Sequence, residues 1–245
     1  MIVIKRLNAF QIKIALIILM LLDHIWFSFP NMLPTWIHGI TRCVAPMFGY
    51  FLIEGFYYTK NRFKYGLRLF LWSIFMFLGN IIINIIFIDK MITVHNNIFF
   101  TLFISFIIIL LFDYIKRVKN IKKFILIFIN IFFTIFGMIF TEGGICLIPF
   151  IIITYFFKQN FKKLFVGYII LSIILFTQSF YIYPTFKETF DMLMFNSDFL
   201  FILVIPFILI YNGERGLNNK FSKYLFYVFY PLHLWILALI EFLVK

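Results

Sequence analysis

Two cysteines and ten acidic residues are all that a chain of 245 residues contains of either kind, and charged side chains of both signs make up only 13% of it. The two thiols, Cys43 and Cys146, lie within or beside apolar stretches. They support neither a disulfide framework nor a multi-cysteine metal site. A chain 64% hydrophobic, in which runs long enough to cross a bilayer recur from end to end, is not a water-soluble domain. No small-residue cleavage site follows the first run, and equally apolar segments continue after it, so that run is expected to be a retained helix rather than a signal peptide. Alanine and glycine are scarce beside phenylalanine, isoleucine, lysine and asparagine, a bias expected of an AT-rich coding sequence. The 39 phenylalanines are therefore not read as an aromatic site.

What is present predicts an all-α, polytopic membrane protein built as a single integral-membrane domain over 1–245. Nine apolar segments fall at about 11–29, 36–58, 67–88, 97–115, 123–141, 144–157, 163–182, 193–211 and 221–243. The sixth is short, and the eighth contains Asp198 if it begins that early. Basic residues cluster in alternate connections. Lys5, Arg6 and Lys13 flank the first segment; Lys60, Arg62, Lys64 and Arg68 follow the second; Lys116, Arg117, Lys119, Lys122 and Lys123 follow the fourth. Lys158, Lys162 and Lys163 follow the sixth, and Arg215, Lys220 and Lys223 the eighth, whereas the other connections hold only Lys90 and Lys187. By the positive-inside rule the N-terminus is expected in the cytoplasm and the C-terminus outside. A re-entrant sixth segment would turn two of the basic connections outward. The net charge of +12 mostly follows from this bias and offers little support for nucleic-acid binding.

Depth follows from the rise of 1.5 Å per helical residue. His24 lies about 18 Å from the cytoplasmic end of the first segment, and Arg42 about 9 Å below the outer surface, nearly the same level in a core about 30 Å thick. His233 and Asn80 each lie about 18 Å above the cytoplasmic side. Asn84, Gln178, His38 and the "TEGG" turn with Glu142 lie at or above that plane, so the outer half is expected to contain a hydrated polar cavity. Ionisable groups at such depth usually mark a pathway or a site. Structural roles compete with this. Asp23 and Arg42 suit a buried ion pair that fixes helix packing, a lone His233 after Pro231 suits a satisfied packing residue, and Glu54 suits a pair with a nearby basic residue. Neighbours on a helix point about 100° apart, so Asp23 and His24 are expected to serve different partners.

Several segments, in order, resemble the signature segments of the TraX family: "IKIALIILMLLDHIWFSF", "TRCVAPMFGYFLIEGFYYTKNRFKYGLRL", "NNIFFTL", "TEGGICLIPFI" and "YNGERG" followed by "KYLFYVFYPLHLWIL". That family contains the pilin N-acetylases of conjugative plasmids and is grouped with integral-membrane acyltransferases that use acyl-CoA. The resemblance places its Asp-His pair on Asp23 and His24, its intramembrane arginine on Arg42, its Glu-Gly pair on Glu54 and Gly55, and its basic loop on Lys60 to Arg68. Its second Glu-Gly motif falls on Glu142 to Gly144 and its terminal Pro-X-His on Pro231 and His233. Thr41 and Cys146 stand where the family commonly has a glycine and an aromatic, departures that bear on the acceptor.

The resemblance implies an acetyltransferase of the bacterial cytoplasmic membrane, with cytoplasmic acetyl-CoA as acyl donor and an exported peptide, such as a pilin N-terminus, or a cell-envelope glycan as acceptor. Lys60, Arg62, Lys64 and Arg68 would contact CoA phosphates. His24, with the ordinary titration range of imidazole, would be the general base. Arg42 would stabilise the oxyanion or anchor Asp23, Asp23 would hold that arginine or the acceptor, and Glu142, Asn80 and His233 would line the acceptor site. An acetyl-histidine intermediate is also compatible with the residues. A transporter or flippase of an envelope precursor and a structural subunit are the readings without acyl transfer. The first often shows a two-fold repeat with interrupted helices, and no such repeat is visible.

Overall fold

The computed structural model describes residues 6–30 and 32–245, so Lys5 lies outside the described residues. They form helices α1 (Ala9–Ser28), α2 (Trp36–Thr41), α3 (Val44–Tyr58), α4 (Arg62–Ile86), α5 (Ile98–Ile115) and α6 (Asn120–Phe140). These are followed by α7 (Gly144–Phe157), α8 (Phe161–Ser179), α9 (Phe186–Phe195), α10 (Val204–Ile210) and α11 (Lys220–Val244). Short 3₁₀ turns cover Ile88–Lys90 and Ser197–Leu203. An isolated bridge between Leu7 and Tyr211 is the one β-type pairing among the described residues.

Every expected apolar segment is helical, but among the described residues only six helices, α1, α4, α5, α6, α8 and α11, are long and apolar enough to cross a membrane unaided. The chain is thus a multi-pass membrane protein. Two of the nine expected spans are interrupted. The second breaks into α2 and α3 at Arg42 and Cys43, and the eighth bends by 64° between α9 and the stretch Ser197–Ile210. Proline accounts for the first position. Pro46 carries no N–H for the carbonyl of Arg42 one turn earlier, so the regular ladder stops there. The second falls at Asn196, the C-cap of α9, well before Pro206, which lies inside α10. Apolar composition alone does not register such breaks. Elsewhere the ends carry their own caps, Asn8 with Gln11 before α1 and Asn219 with Ser222 before α11.

The chain divides into two compact units, the first comprising Met1–Met47, Leu78–His95 and Ser172–Lys245, the second Phe48–Phe77 and Asn96–Leu171. In the first, α1 packs against α2 and α11, and α2 packs against α9 and the second 3₁₀ turn. Gly39 permits the close approach of α2, because a Cβ there would lie 2.8 Å from Leu200 Cδ1 and 3.1 Å from Met194 Sδ. Within this unit the backbone of Arg6 and Leu7 bonds to Ile210, and Lys90 Nζ bonds to the carbonyl of Phe242, so the start of α1 meets the end of α10.

In the second unit α5, α6 and α7 form a bundle around Ile104, Ile108 and Ile148. Fourteen residues give α7 a length of only about 21 Å. It nevertheless runs the length of α5. At one end Asn96 donates to Glu142 over 2.9 Å; at the other Lys116 donates to the Tyr155 hydroxyl over 3.1 Å. The lipid-facing character is plainest on α6, where Phe124, Phe128, Phe132 and Phe140 all stand exposed.

Candidate functional site

The charged centre lies in the first unit, where α1 meets α2. Asp23 projects from α1 toward the C-terminal end of α2 and receives three donors. His38 Nδ1–H reaches Asp23 Oδ1 over 2.8 Å, the Thr41 hydroxyl reaches the same oxygen over 2.5 Å, and Arg42 Nη2 reaches Oδ2 over 2.7 Å. A carboxylate whose side chain is only 16% exposed needs such a set, because burying an anion without donors costs several kcal/mol. Arg42 has two further contacts. Its Nε donates to the His38 carbonyl over 3.3 Å, and Nη1 lies 3.7 Å from Asp198 Oδ1. Asp198, which sits oddly in an apolar segment, therefore has a reason to be there. These bonds make Arg42 an anchor for Asp23 through Nη2 and hold its Nε, while Nη1 makes only the longer contact with Asp198.

His24, one residue on, points to a different helix. His24 Nδ1 lies 2.8 Å from His233 Nε2, and His233 Nδ1 lies 2.8 Å from the Phe229 carbonyl. A carbonyl can only accept, so His233 carries its proton on Nδ1, and its Nε2 accepts from His24 Nδ1–H. Both rings being neutral, the lone pair of His24 is on Nε2. His38 is fixed by the same logic: Nδ1–H faces Asp23, and Nε2 has no partner among the described residues. The indole of Trp26 stacks on the His38 ring at 4.3 Å and 24°, holding it in place.

Of the residues expected at one level, Arg42 meets Asp23 and His24 meets His233. Asn80 has a different neighbour. Its Oδ1 accepts from Trp235 Nε1 over 3.0 Å, still within the first unit. Glu142 belongs to the second unit, where besides Asn96 its backbone carbonyl accepts from Thr101 over 2.9 Å. Sequence reading missed His38 and Thr41 as partners of Asp23. A signal existed, since His38 and Arg42 are four apart on one helix and share a face. Thr41 supplies the second donor to Asp23 Oδ1.

The basic segment after α3 is less of a loop than expected, for α4 begins at Arg62 and carries Lys64 and Arg68 in its first two turns. Arg62 is not free for a phosphate. It donates to Asp113 over 2.7 Å and lies 4.0 Å from the centre of the Phe56 ring, and Asp113 also accepts from Arg117 over 2.6 Å. Lys60 and Lys64 are exposed. Glu54 pairs with Lys158. Its neighbour Gly55 lets α4 close in, since a Cβ there would lie 2.7 Å from the Tyr65 hydroxyl. The Glu-Gly pair thus has a packing role in this unit.

No cluster of three or more metal-ligating side chains occurs among the described residues. A family model described as "TraX protein" matches residues 9–241. No curated protein and no solved structure matches the chain.

Proposed function

The chain belongs to the TraX family, and on that premise we propose that it transfers an acetyl group from cytoplasmic acetyl-CoA to a nucleophile on the far side of the bacterial cytoplasmic membrane. The observation that carries the reading is the bond between His24 and His233. With Nδ1–H given to His233, the basic lone pair of His24 is on Nε2, close to the charged centre around Asp23, the arrangement a general base requires. The acceptor's amine or hydroxyl loses its proton to His24 Nε2 as it attacks the thioester carbonyl. The C–S bond then breaks, and the proton passes from His24 to the departing CoA sulfur, giving the acetylated acceptor and free CoA. Asp23, held by Arg42, His38 and Thr41, places a fixed negative charge beside the imidazolium that forms.

Release of free thiol from acetyl-CoA by the purified protein in nanodiscs, dependent on an added amine or hydroxyl acceptor, tests the reading. Absence of release with every acceptor class would sink it. A transporter or flippase is the second reading, favoured by the two interrupted segments. Binding of CoA separates them, since that reading does not predict it.

Two further results are expected. The orientation puts Lys60, Lys119, Lys162 and Lys220 in the cytoplasm, with Asp89, Glu142 and Lys187 outside, and all nine segments crossing. The passage of α7 along the full length of α5 supports this count. Single cysteines beside the first four should react with a membrane-impermeant maleimide only after permeabilisation, whereas external labelling near Lys162 would break the nine-span topology.

For CoA, the phosphate contacts fall to Lys60, Lys64 and Arg68 rather than Arg62. Neutralising Lys60 and Lys64 together should weaken acetyl-CoA affinity about ten-fold and flatten its salt dependence without loss of stability, because exposed charges contribute little to folding. Arg62→Gln should instead lower the melting temperature by leaving Asp113 with one partner fewer. Unchanged affinity in the Lys60 and Lys64 variant would move the phosphates to another basic connection.

A further inference from the structure

Beside the charged centre, Trp26, Pro34, Thr35, Asp191 and Phe195 line an open depression of about 670 Å³ in the first unit, within the size range of small-molecule sites. Its polar groups are few and specific. Thr35 donates to Asp191 Oδ1 over 2.8 Å, which fixes the carboxylate, and Asp191 Oδ2 has no partner among the described residues. Trp26 is fixed as well, with one face on the His38 ring that Asp23 holds. Its indole N–H has no partner among the described residues. Phe195 stands 6.2 Å from Trp26 at 53°, so the two rings form adjoining aromatic walls.

We infer that this depression binds a neutral sugar, and, resting on the acetyl transfer proposed above, that the sugar presents the hydroxyl to be acetylated. The site offers one open acceptor, Asp191 Oδ2, one open donor, Trp26 Nε1–H, and aromatic surface between. A hydroxyl both donates and accepts, so two hydroxyls of one sugar ring satisfy both groups while the ring's C–H face lies on the indole. An ammonium group satisfies only half of this. It would bond to Asp191 and attract the aromatic faces, but it has no acceptor for the indole N–H. The same contacts would hold the amine protonated, without the lone pair that attacks a thioester. Asp191 and Trp26 therefore discriminate in favour of a polyol.

The test is binding of N,N′-diacetylchitobiose and of methyl β-glucoside, with alaninamide as the amine arm, to the full chain in nanodiscs, read by saturation-transfer NMR and calorimetry. Saccharide binding is expected, at least ten-fold weaker in Trp26→Ala and in Asp191→Asn, and intermediate in Trp26→Phe, which keeps the stacking face and loses the donor. Should Trp26→Ala fail to fold, Asp191→Asn and Trp26→Phe carry the test. Binding of alaninamide with no saccharide bound, or saccharide binding indifferent to Asp191→Asn and to Trp26→Phe, would overturn the inference. Saccharide binding without acceptor-dependent CoA release would sink the acetyl transfer and leave the sugar site standing. Release of CoA to an amine with no saccharide bound would do the reverse.

Discussion

Replacing His24 by alanine is expected to lower acetyl transfer by about 10²–10⁴-fold while leaving acetyl-CoA affinity unchanged, the signature of a group that acts only when the acceptor loses its proton. The tautomers make the expectation more specific than the residue alone. His24 Nε2 is the basic atom because Nδ1–H is given to His233, whose own proton is given to Phe229. His233→Ala should therefore have a smaller effect, since the base survives but loses the acceptor that fixes its ring. His233→Gln should recover part of the loss, because an amide oxygen can accept the same Nδ1–H. That ordering separates positioning from chemistry, and thiol release under saturating acceptor reads it. The outcome that would overturn it is turnover in His24→Ala close to the parent's. His38→Ala would then decide the matter: a well-folded variant without turnover would move the base to the ring that Asp23 orients.

The helical segments and two of the polar pairs were legible because both depend on local quantities, apolar run length and a constant rise per residue. Counting turns placed Arg42 near the level of Asp23 and His24 and put His233 on that level, and the contacts Asp23 with Arg42 and His24 with His233 follow that placement. What could not be read was backbone interruption. Pro46 sits just after a break, whereas Pro149, Pro206 and Pro231 sit inside helices and the bend at Asn196 has no proline, so proline in an apolar run does not announce an interruption. The break at Arg42 matters most for the site. It ends α2 where His38, Thr41 and Arg42 can all turn to one carboxylate.

Arg62 failed for a different reason. Its role as an ion-pair partner depends on Asp113, 51 residues away, and nothing in the local pattern of a basic segment distinguishes a committed guanidinium from a solvated one. Glu54 was easier, since a carboxylate near the end of an apolar helix with basic connections close by has few affordable alternatives to pairing.

Asp23 is where the structural and chemical roles of the centre separate. Asp23→Asn keeps an oxygen for His38 and Thr41 but turns an amide toward Arg42, leaving a guanidinium with a side chain only 24% exposed facing a donor in place of an anion. Breaking a buried pair from one side typically costs about 3–5 kcal/mol, so expression and thermal stability should fall steeply along with activity. Arg42→Gln alone should be damaging for the converse reason, since the carboxylate loses its guanidinium partner and Asp198 loses this contact. The double change joins two amides that can bond to each other, so stability should return to within about 1–2 kcal/mol of the parent, a coupling that a double-mutant cycle measures directly. Activity should not return with it, because the fixed negative charge beside His24 is gone whatever the packing. If the double variant regains turnover together with stability, Asp23 and Arg42 are a packing device and the chemistry belongs to the histidines alone. If it regains neither, the bonds from His38 and Thr41 require the carboxylate itself, and the pair with Arg42 is the lesser part of what Asp23 does.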